Sequence, residues 1–163
     1  MRAMRRRLFV MSFALALAAC AHRGPGPEAG ASGEAGAPHA SLADEQRRLA
    51  ELFRGTPVVF AMQKDGSLKV SVPLRYAFDR GRHAVKPPLG AVLERVAKSQ
   101  RREPTRVLVT APTDPGSKQL LLATERASSA RDFMVAHGVA PTRFSIAASG
   151  GGDVVIVVAE APH

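Results

Sequence analysis

The sequence predicts an α+β fold in which two helices pack on one face of a mixed β-sheet, preceded by a short helix and a hairpin. Apolar residues occupy alternate positions over residues 68–78, as in a strand with one buried face. Two later segments repeat apolar residues every three or four positions, as amphipathic helices do. Because short apolar runs follow both helices, the predicted order is strand, helix, strand, helix, strand, strand.

A short helix over residues 42–54 is predicted to open the folded part of the chain. Ser41 is a suitable N-cap, acidic residues follow in the first turn, and apolar residues recur at helical spacing. The Gly-Thr-Pro sequence at 55–57 ends the helix. Together with the hairpin that follows, this helix forms an arm, 42–67, ahead of the main domain, 68–161.

The hairpin is predicted from an Asp-Gly pair within residues 64–67, which favours a tight turn between strands at 58–63 and 68–76. The second of these strands has the clearest alternation in the sequence. Pro73 interrupts it without an amide hydrogen, so we expect a bulge or a sheet edge at that position.

Both helices of the main domain have recognisable ends. The first begins at Lys86-Pro87-Pro88, where prolines suit the opening turn, and its apolar positions continue for about three turns. The second spans 118–137 and stops before Gly138, since glycine commonly closes a helix.

Three further strands complete the predicted sheet, at 106–111, 143–148 and 153–159. A tight glycine-rich turn at 149–152 is predicted to join the last two. Strand–helix–strand connections are right-handed, so the loops after Phe78 and Ala111 should meet at one edge of the sheet. We therefore expect a ligand to bind at that edge.

Basic residues followed by a short apolar run indicate an export signal over residues 1–19. The run is shorter than the about 20 residues needed to span a bilayer. It ends in Leu-Ala-Ala-Cys at 17–20, which resembles the lipobox of bacterial lipoproteins and implies an acylated, membrane-anchored Cys20. Cys20 is the only cysteine, so it can form no internal disulfide. The alternative is a plain secretory peptide in which Cys20 is incidental.

Residues 20–41 are rich in Gly, Ala and Pro and are expected to form a flexible tether. Such a segment reaches about 65 Å when stretched and averages about 25 Å as a coil. In enterobacterial lipoproteins, an Asp directly after the modified cysteine resembles an inner-membrane retention signal. This sequence has Ala21 at that position. The sequence therefore favours the outer membrane, with the domain facing the periplasm.

The composition argues against a nucleic-acid-binding protein. The formal charge of the whole chain is +9, but four arginines lie within residues 1–19, which leaves +5 after cleavage. The remaining basic residues are scattered, and seven Phe, one Tyr and no Trp offer little to stack on bases. A mildly basic surface better suits anionic cell-wall polymers or lipid headgroups.

The sequence contains no recognisable enzyme, metal or cofactor motif. Its five histidines lack metal-ligand spacing, and the glycines at 150–152 lack the Lys-Ser/Thr of a phosphate loop. No serine lies in a Gly-x-Ser-x-Gly or Ser-x-x-Lys context. We therefore expect a binding or structural protein and not an enzyme.

Two segments resemble the peptidoglycan-binding domain of the OmpA-like family. The first is Leu-Arg-Tyr-Ala-Phe-Asp at 74–79 with Val-Lys-Pro at 85–87, where the family has an apolar-Phe-Asp stretch and Leu-Lys-Pro. The second is Val-Leu-Val-Thr-Ala-Pro-Thr-Asp at 107–114, and it is followed by further matching residues: Leu122, Arg126-Ala127, Phe133, Gly138-Val139 and Arg143. The resemblance covers roughly residues 70–160 and implies the same fold.

The ligand of that family is the diaminopimelate of the peptidoglycan stem peptide, which bears both carboxylate and ammonium groups. The resemblance implies that Asp114 accepts from the ligand ammonium and that Arg126 binds a ligand carboxylate through its planar guanidinium. Thr113 would assist through its hydroxyl or its backbone.

The sequence departs from the family pattern around this site. Pro112 stands where the family has histidine, Ala123 replaces the serine of Leu-Ser-x-x-Arg-Ala, and Asp114 and Arg126 are a few residues closer in sequence. The long loop before the last strand is reduced to the glycines at 150–152. The alternative for Asp114 and Arg126 is a surface ion pair, or a carboxylate at the start of a helix, of little energetic value.

Two functions of different classes follow from these observations. The first is an outer-membrane lipoprotein that binds peptidoglycan non-covalently and links the outer membrane to the cell wall. The second is an envelope scaffold or assembly protein, with a protein partner, that has kept the fold but lost the ligand site. Retention of Asp114 and Arg126 favours the first function, whereas the shortened loops favour the second. On balance the sequence favours peptidoglycan binding.

Overall fold

The structure is a computed structural model that describes residues 41–162. Three predicted features lie outside the described residues: the signal peptide at 1–19, the lipidation of Cys20 and the tether up to residue 40. The elements run in this order: helix α1 (Leu42–Leu52), strands β1 (Val59–Met62) and β2 (Leu68–Pro73), short helix α2 (Leu74–Ala77), helix α3 (Pro87–Gln100), strand β3 (Thr105–Pro112), helix α4 (Leu120–Ala136), a 3-10 helix (Pro141–Arg143) and strands β4 (Phe144–Ser149) and β5 (Asp153–Glu160).

The strands form one five-stranded mixed sheet with the order β1-β2-β5-β3-β4. Only β3 and β4 are parallel, and the other neighbours are antiparallel. Helices α3 and α4 contact each other, and α4 packs on β3 and β4. The predicted α+β fold with two helices on one face of a mixed sheet is therefore confirmed.

The core lies between the helices and the face of the sheet on which every second residue is apolar. Strand β2 buries three such positions and leaves Lys69 and Ser71 only half-buried on the other face. The register places Val70 beside Ile156 of β5, which in turn lies beside Val109 of β3, and all three side chains are fully buried. Burial of each contributes about 1.5–3 kcal/mol relative to exposure.

Helix α1 and the first hairpin belong to the same core. The Ser41 hydroxyl accepts a hydrogen bond from the Asp44 amide at 3.2 Å, which confirms Ser41 as the N-cap. Leu49 is fully buried, and Phe60 of β1 is buried beside it in the core cluster. Gly66 lies in the hairpin turn with φ of 80°, a left-handed conformation that favours glycine.

The second hairpin strand is shorter than predicted. It ends at Pro73, and the chain then turns into α2, so Tyr76 is helical and not extended. Strand β1 pairs with β2 only as far as Ser71, so Pro73 is paired on one side alone, with Asp153 of β5. The expected sheet edge at Pro73 is therefore present locally, although β2 as a whole lies between β1 and β5. Proline is tolerated there because it is the last residue of the strand. Leu74 then donates its amide to the carbonyl of Gly152 at 3.1 Å.

The prediction that the glycines at 150–152 form a tight turn between neighbouring strands is wrong. Strands β4 and β5 lie on opposite sides of β3, so the connection crosses the end of β3. It spans two strand spacings, or about 10 Å. Both β2 and β3 run antiparallel to β5, so their carboxyl ends share this edge, as predicted. The loops that follow them are thereby brought together.

Candidate functional site

Asp114 lies two residues beyond β3, at the edge where these loops meet. Its Oδ1 is 2.6 Å from Nη2 of Arg126, and its Oδ2 accepts a hydrogen bond from the amide of Gly81 at 2.6 Å. The residue is only 9% exposed. The carboxylate therefore joins helix α4 to two loops that are distant in sequence.

Arg126 lies on the inward face of α4 and is completely buried. Its guanidinium donates to three backbone carbonyls as well as to Asp114: Nε to Arg82 at 2.9 Å, Nη1 to Pro112 at 3.0 Å and Nη2 to Asp79 at 3.1 Å. These bonds use four of the five donors of the group. Arg126 thus holds together the loop at 79–82, the end of β3 and the carboxylate.

The energetics of this ion pair differ from those of a surface pair. Desolvation of two charges is costly, but the four hydrogen bonds of Arg126 compensate the buried cation. The interpretation as a surface ion pair of little value is wrong, because the two side chains are 0% and 11% exposed. Removal of either partner would leave an unpaired charge in the interior.

The pKa of the Asp114 carboxyl lies below its ordinary value. The hydrogen bond from Arg126 is the main cause, and the Gly81 amide and the charges of Arg126 and Arg80 act in the same direction. Burial opposes this shift without overcoming it. Asp114 is therefore a carboxylate at neutral pH.

Thr113 shapes the loop that carries Asp114. Its hydroxyl donates to the carbonyl of Ser117 at 3.0 Å, and the Ser117 amide donates to the carbonyl of Asp114 at 2.9 Å. The threonine is half-buried and its donor is used within the loop. A contact between Thr113 and a ligand stays a prediction.

Three clefts surround Asp114. The largest, of about 770 Å³, lies between the loop at 113–118 and the crossing segment at 150–152, and Leu120 lines its rim. The other two, of about 420 and 450 Å³, lie on the side of Arg80 and also have Asp114 in their wall. The buried hydroxyl of Ser149, which lines the first cleft, has no hydrogen-bond partner among residues 41–162.

Sequence reasoning missed the contribution of the loop at 79–82. Gly81 has φ of 67°, and this left-handed conformation directs its amide at Asp114. The carbonyls of Asp79 and Arg82 accept from Arg126. A glycine shortly after the Phe-Asp motif was a signal for a special backbone conformation, but backbone contacts to a helix in another part of the chain leave no pattern in the sequence.

Arg143, the other arginine in the family motifs, lies at the opposite end of the sheet. Its Nη1 donates to the carbonyl of Gln100 at 2.5 Å, and its Nε donates to the carbonyl of Thr105 at 2.7 Å. Burial lowers the pKa of its guanidinium. Arg143 therefore ties the end of α3 to the start of β3 and does not contribute to the candidate site.

Two kinds of feature are absent from residues 41–162. No group of three or more His, Cys, Asp or Glu side chains within residues 41–162 is arranged to hold a metal ion. In the same part of the chain, no helix is both long enough and apolar enough to cross a bilayer.

Comparison with known proteins places the fold. No protein-family model and no curated protein matches the sequence. Among solved structures, the cell wall anchor of the T6SS from Pseudomonas aeruginosa is 18% identical with a TM-score of 0.60, over 76% of this chain and 99% of that one. A MotB-like protein from Desulfovibrio vulgaris is 14% identical with a TM-score of 0.61, over 74% and 92%. The periplasmic domain of Helicobacter pylori MotB is 19% identical with a TM-score of 0.56, over 64% and 85%.

Identities this low establish a shared fold and nothing further. The chain therefore has the OmpA-like fold that its sequence motifs predict.

Proposed function

We propose that the protein is a lipid-anchored envelope protein whose domain binds peptidoglycan non-covalently and links the outer membrane to the cell wall. The observation that carries this proposal is the buried Asp114–Arg126 pair at the loop end of the sheet. Burial of two charges is costly, and such groups are commonly retained where they serve a site. The likeness to a protein described as a cell wall anchor supports the same function.

In this proposal the diaminopimelate of the stem peptide places its ammonium group at Asp114. Each carboxylate oxygen accepts one of these hydrogen bonds, Oδ1 from Arg126 and Oδ2 from Gly81, and the remaining lone pairs can accept from the ligand. A charge-assisted hydrogen bond of this kind is about twice as strong as a neutral one.

The role that we propose for Arg126 differs from a direct grip on a ligand carboxylate. The guanidinium is completely buried, and four of its donors already bind protein oxygens. Direct contact with a ligand would require the loop at 79–82 to open. We therefore assign Arg126 to positioning, since it fixes both Asp114 and the loops that form the clefts.

The position of the site also supports a bridging function. Ser41 and Leu42 lie beside Thr105 and Glu160, at the opposite end of β3 from Asp114. Strand β3 has eight residues, which corresponds to about 25 Å. A domain attached to a membrane through the segment before Ser41 would therefore present Asp114 away from its point of attachment.

Sedimentation with peptidoglycan tests this proposal. The full chain, purified in detergent, would be mixed with insoluble diaminopimelate-type peptidoglycan and centrifuged, together with the Asp114→Ala variant. We expect the wild type in the pellet and most of the variant in the supernatant. A wild type that stays in the supernatant would refute the proposed function, and equal sedimentation of both proteins would refute the assigned site.

The second candidate function is an envelope scaffold that does not bind peptidoglycan. It is favoured by the short crossing segment at 150–152, which leaves one wall of the largest cleft without side chains. Retention of the complete Asp114–Arg126 network favours the first function. The sedimentation result decides between them.

A further inference from the structure

We propose that Arg80 and Lys118 form a pair of carboxylate-binding residues on the two sides of Asp114. The ligand class is then an anionic peptide in which an ammonium group is flanked by free carboxylates. This inference rests on the proposed function, because it specifies which form of the stem peptide the site accepts.

Because Arg126 is buried, other cations must bind the carboxylates of the ligand. A ligand with carboxylates beside its ammonium group requires positive charge near Asp114, but Arg126 is 0% exposed and is bonded to four protein oxygens. Arg80 and Lys118 are both exposed. Neither side chain forms an ion pair within residues 41–162.

The two cations approach Asp114 from different sides. Lys118 lines the largest cleft, together with Asp114 and the crossing segment at 150–152. Arg80 lines the two clefts on the other side, and its charge is close enough to lower the pKa of the Asp114 carboxyl. A ligand ammonium at Asp114 would thus have a cation on each side.

The charges that line the three clefts have a positive surplus. Asp79 and Asp114 are the acidic side chains in their walls, and each is paired, with Lys86 and with Arg126 respectively. Arg75 is also basic and lies 4.8 Å from the centroid of the Tyr76 ring. The cleft walls therefore carry exposed positive charge without an unpaired carboxylate to balance it.

The cleft at the opposite end of the domain has the reverse character. It is lined by Glu45, Glu103 and Glu160 and by no Arg or Lys. Arg48, which pairs with Glu45, and Arg143 also lie at that end, so the contrast concerns the walls of the clefts and not the two ends of the domain.

The test measures the affinity of the full chain for two soluble probes. One is a diaminopimelate-type tripeptide muropeptide with free carboxylates, and the other is the same muropeptide with its carboxylates amidated. The variants are Arg80→Glu and Lys118→Glu. The matched controls are Arg95→Glu, on the exposed side of α3, and Lys64→Glu, in the hairpin turn at the other end of the sheet.

We expect each site variant to bind the free-acid muropeptide about tenfold more weakly, with the controls within about twofold of wild type. Wild type should bind the amidated muropeptide about tenfold more weakly than the free-acid form. The site variants should bind the amidated muropeptide with nearly the same affinity as wild type does. The variants should unfold at the wild-type temperature, because both substituted side chains are exposed.

Two results would overturn the inference in distinguishable ways. If wild type binds both muropeptides with equal affinity and the site variants bind as wild type does, the carboxylate role is refuted while peptidoglycan binding stands. If wild type binds neither muropeptide, the proposed function fails and this inference fails with it.

Discussion

The guanidinium of Arg126 and the carboxylate of Asp114 lie 2.6 Å apart beneath the loop end of the sheet, and the arginine is completely buried. One helix residue thereby fixes a carboxylate, the end of β3 and the loop at 79–82. The pair is a structural element first, and it determines the shape of any site built around it.

Substitution of Arg126 should strongly destabilise the fold. Arg126→Ala leaves Asp114 and three carbonyls without their donor, and we expect the free energy of unfolding to fall by about 3–5 kcal/mol. Urea unfolding monitored by circular dichroism measures this. Arg131→Ala is the matched control on the same helix, because its ion pair with Asp132 is exposed, and it should cost less than about 1 kcal/mol. Equal losses of unfolding free energy in the two variants would contradict a stabilising role for the buried Asp114–Arg126 pair.

The stability of the domain should fall at acidic pH in part because of Asp114. The pKa of this carboxyl is lowered in the folded state from an ordinary value of 3.8, so its stabilising contribution is present above that value. The contribution is lost as the pH falls below about 4 and through the folded-state pKa. Urea unfolding at pH 6 and pH 3 should show a larger loss for wild type than for Asp114→Asn. A loss of the same size in both proteins would rule out this titration.

Glycine should be required at position 81 because of its left-handed backbone conformation and not because a larger side chain would clash with neighbouring atoms. Its φ is 67°, and an added Cβ would meet no atom within 4 Å. Gly81→Ala is therefore expected to destabilise by about 1–2 kcal/mol and to weaken the amide contact to Asp114. Gly150→Ala is the control, since that position is equally open and has no left-handed φ. Thermal unfolding compares the two, and an unaffected Gly81→Ala variant would contradict the assignment.

Cys20 should determine where the protein resides. If Cys20 carries acyl chains, the Cys20→Ser variant loses its membrane anchor and should appear in the soluble periplasmic fraction. Detergent phase partitioning of wild type and variant measures the change. Wild type in the aqueous phase would refute lipidation and would favour a plain secretory signal.

Local patterns account for most of the elements that the sequence predicted correctly. The N-cap at Ser41, the alternation that ends at Val72 and the stop at Gly138 depend on residues close to each other in sequence. The family motifs supplied the position of Asp114 and Arg126. Asp114 and Arg126 are 12 residues apart in sequence, and they meet because α4 places Arg126 beside the end of β3.

The remainder depended on contacts that sequence patterns do not encode. Alternation continued past Pro73, but the bond from Leu74 to Gly152 turns the chain into α2. The glycines at 150–152 resemble a turn until the pairing of β5 with both β2 and β3 is known. Arg126 is bonded to three carbonyls in two segments, the loop at 79–82 and the end of β3, and neither segment by itself indicates that the arginine is buried.

The most direct measurement is sedimentation of the full chain with diaminopimelate-type peptidoglycan in parallel with lysine-type peptidoglycan. Lysine has the side-chain ammonium group of diaminopimelate but lacks its second carboxylate, so the two polymers differ at the group proposed to bind Arg80 and Lys118. We expect wild type to sediment with the diaminopimelate type, to be released by free diaminopimelate and largely to stay in solution with the lysine type. Equal sedimentation with both polymers, or with neither, would contradict this expectation.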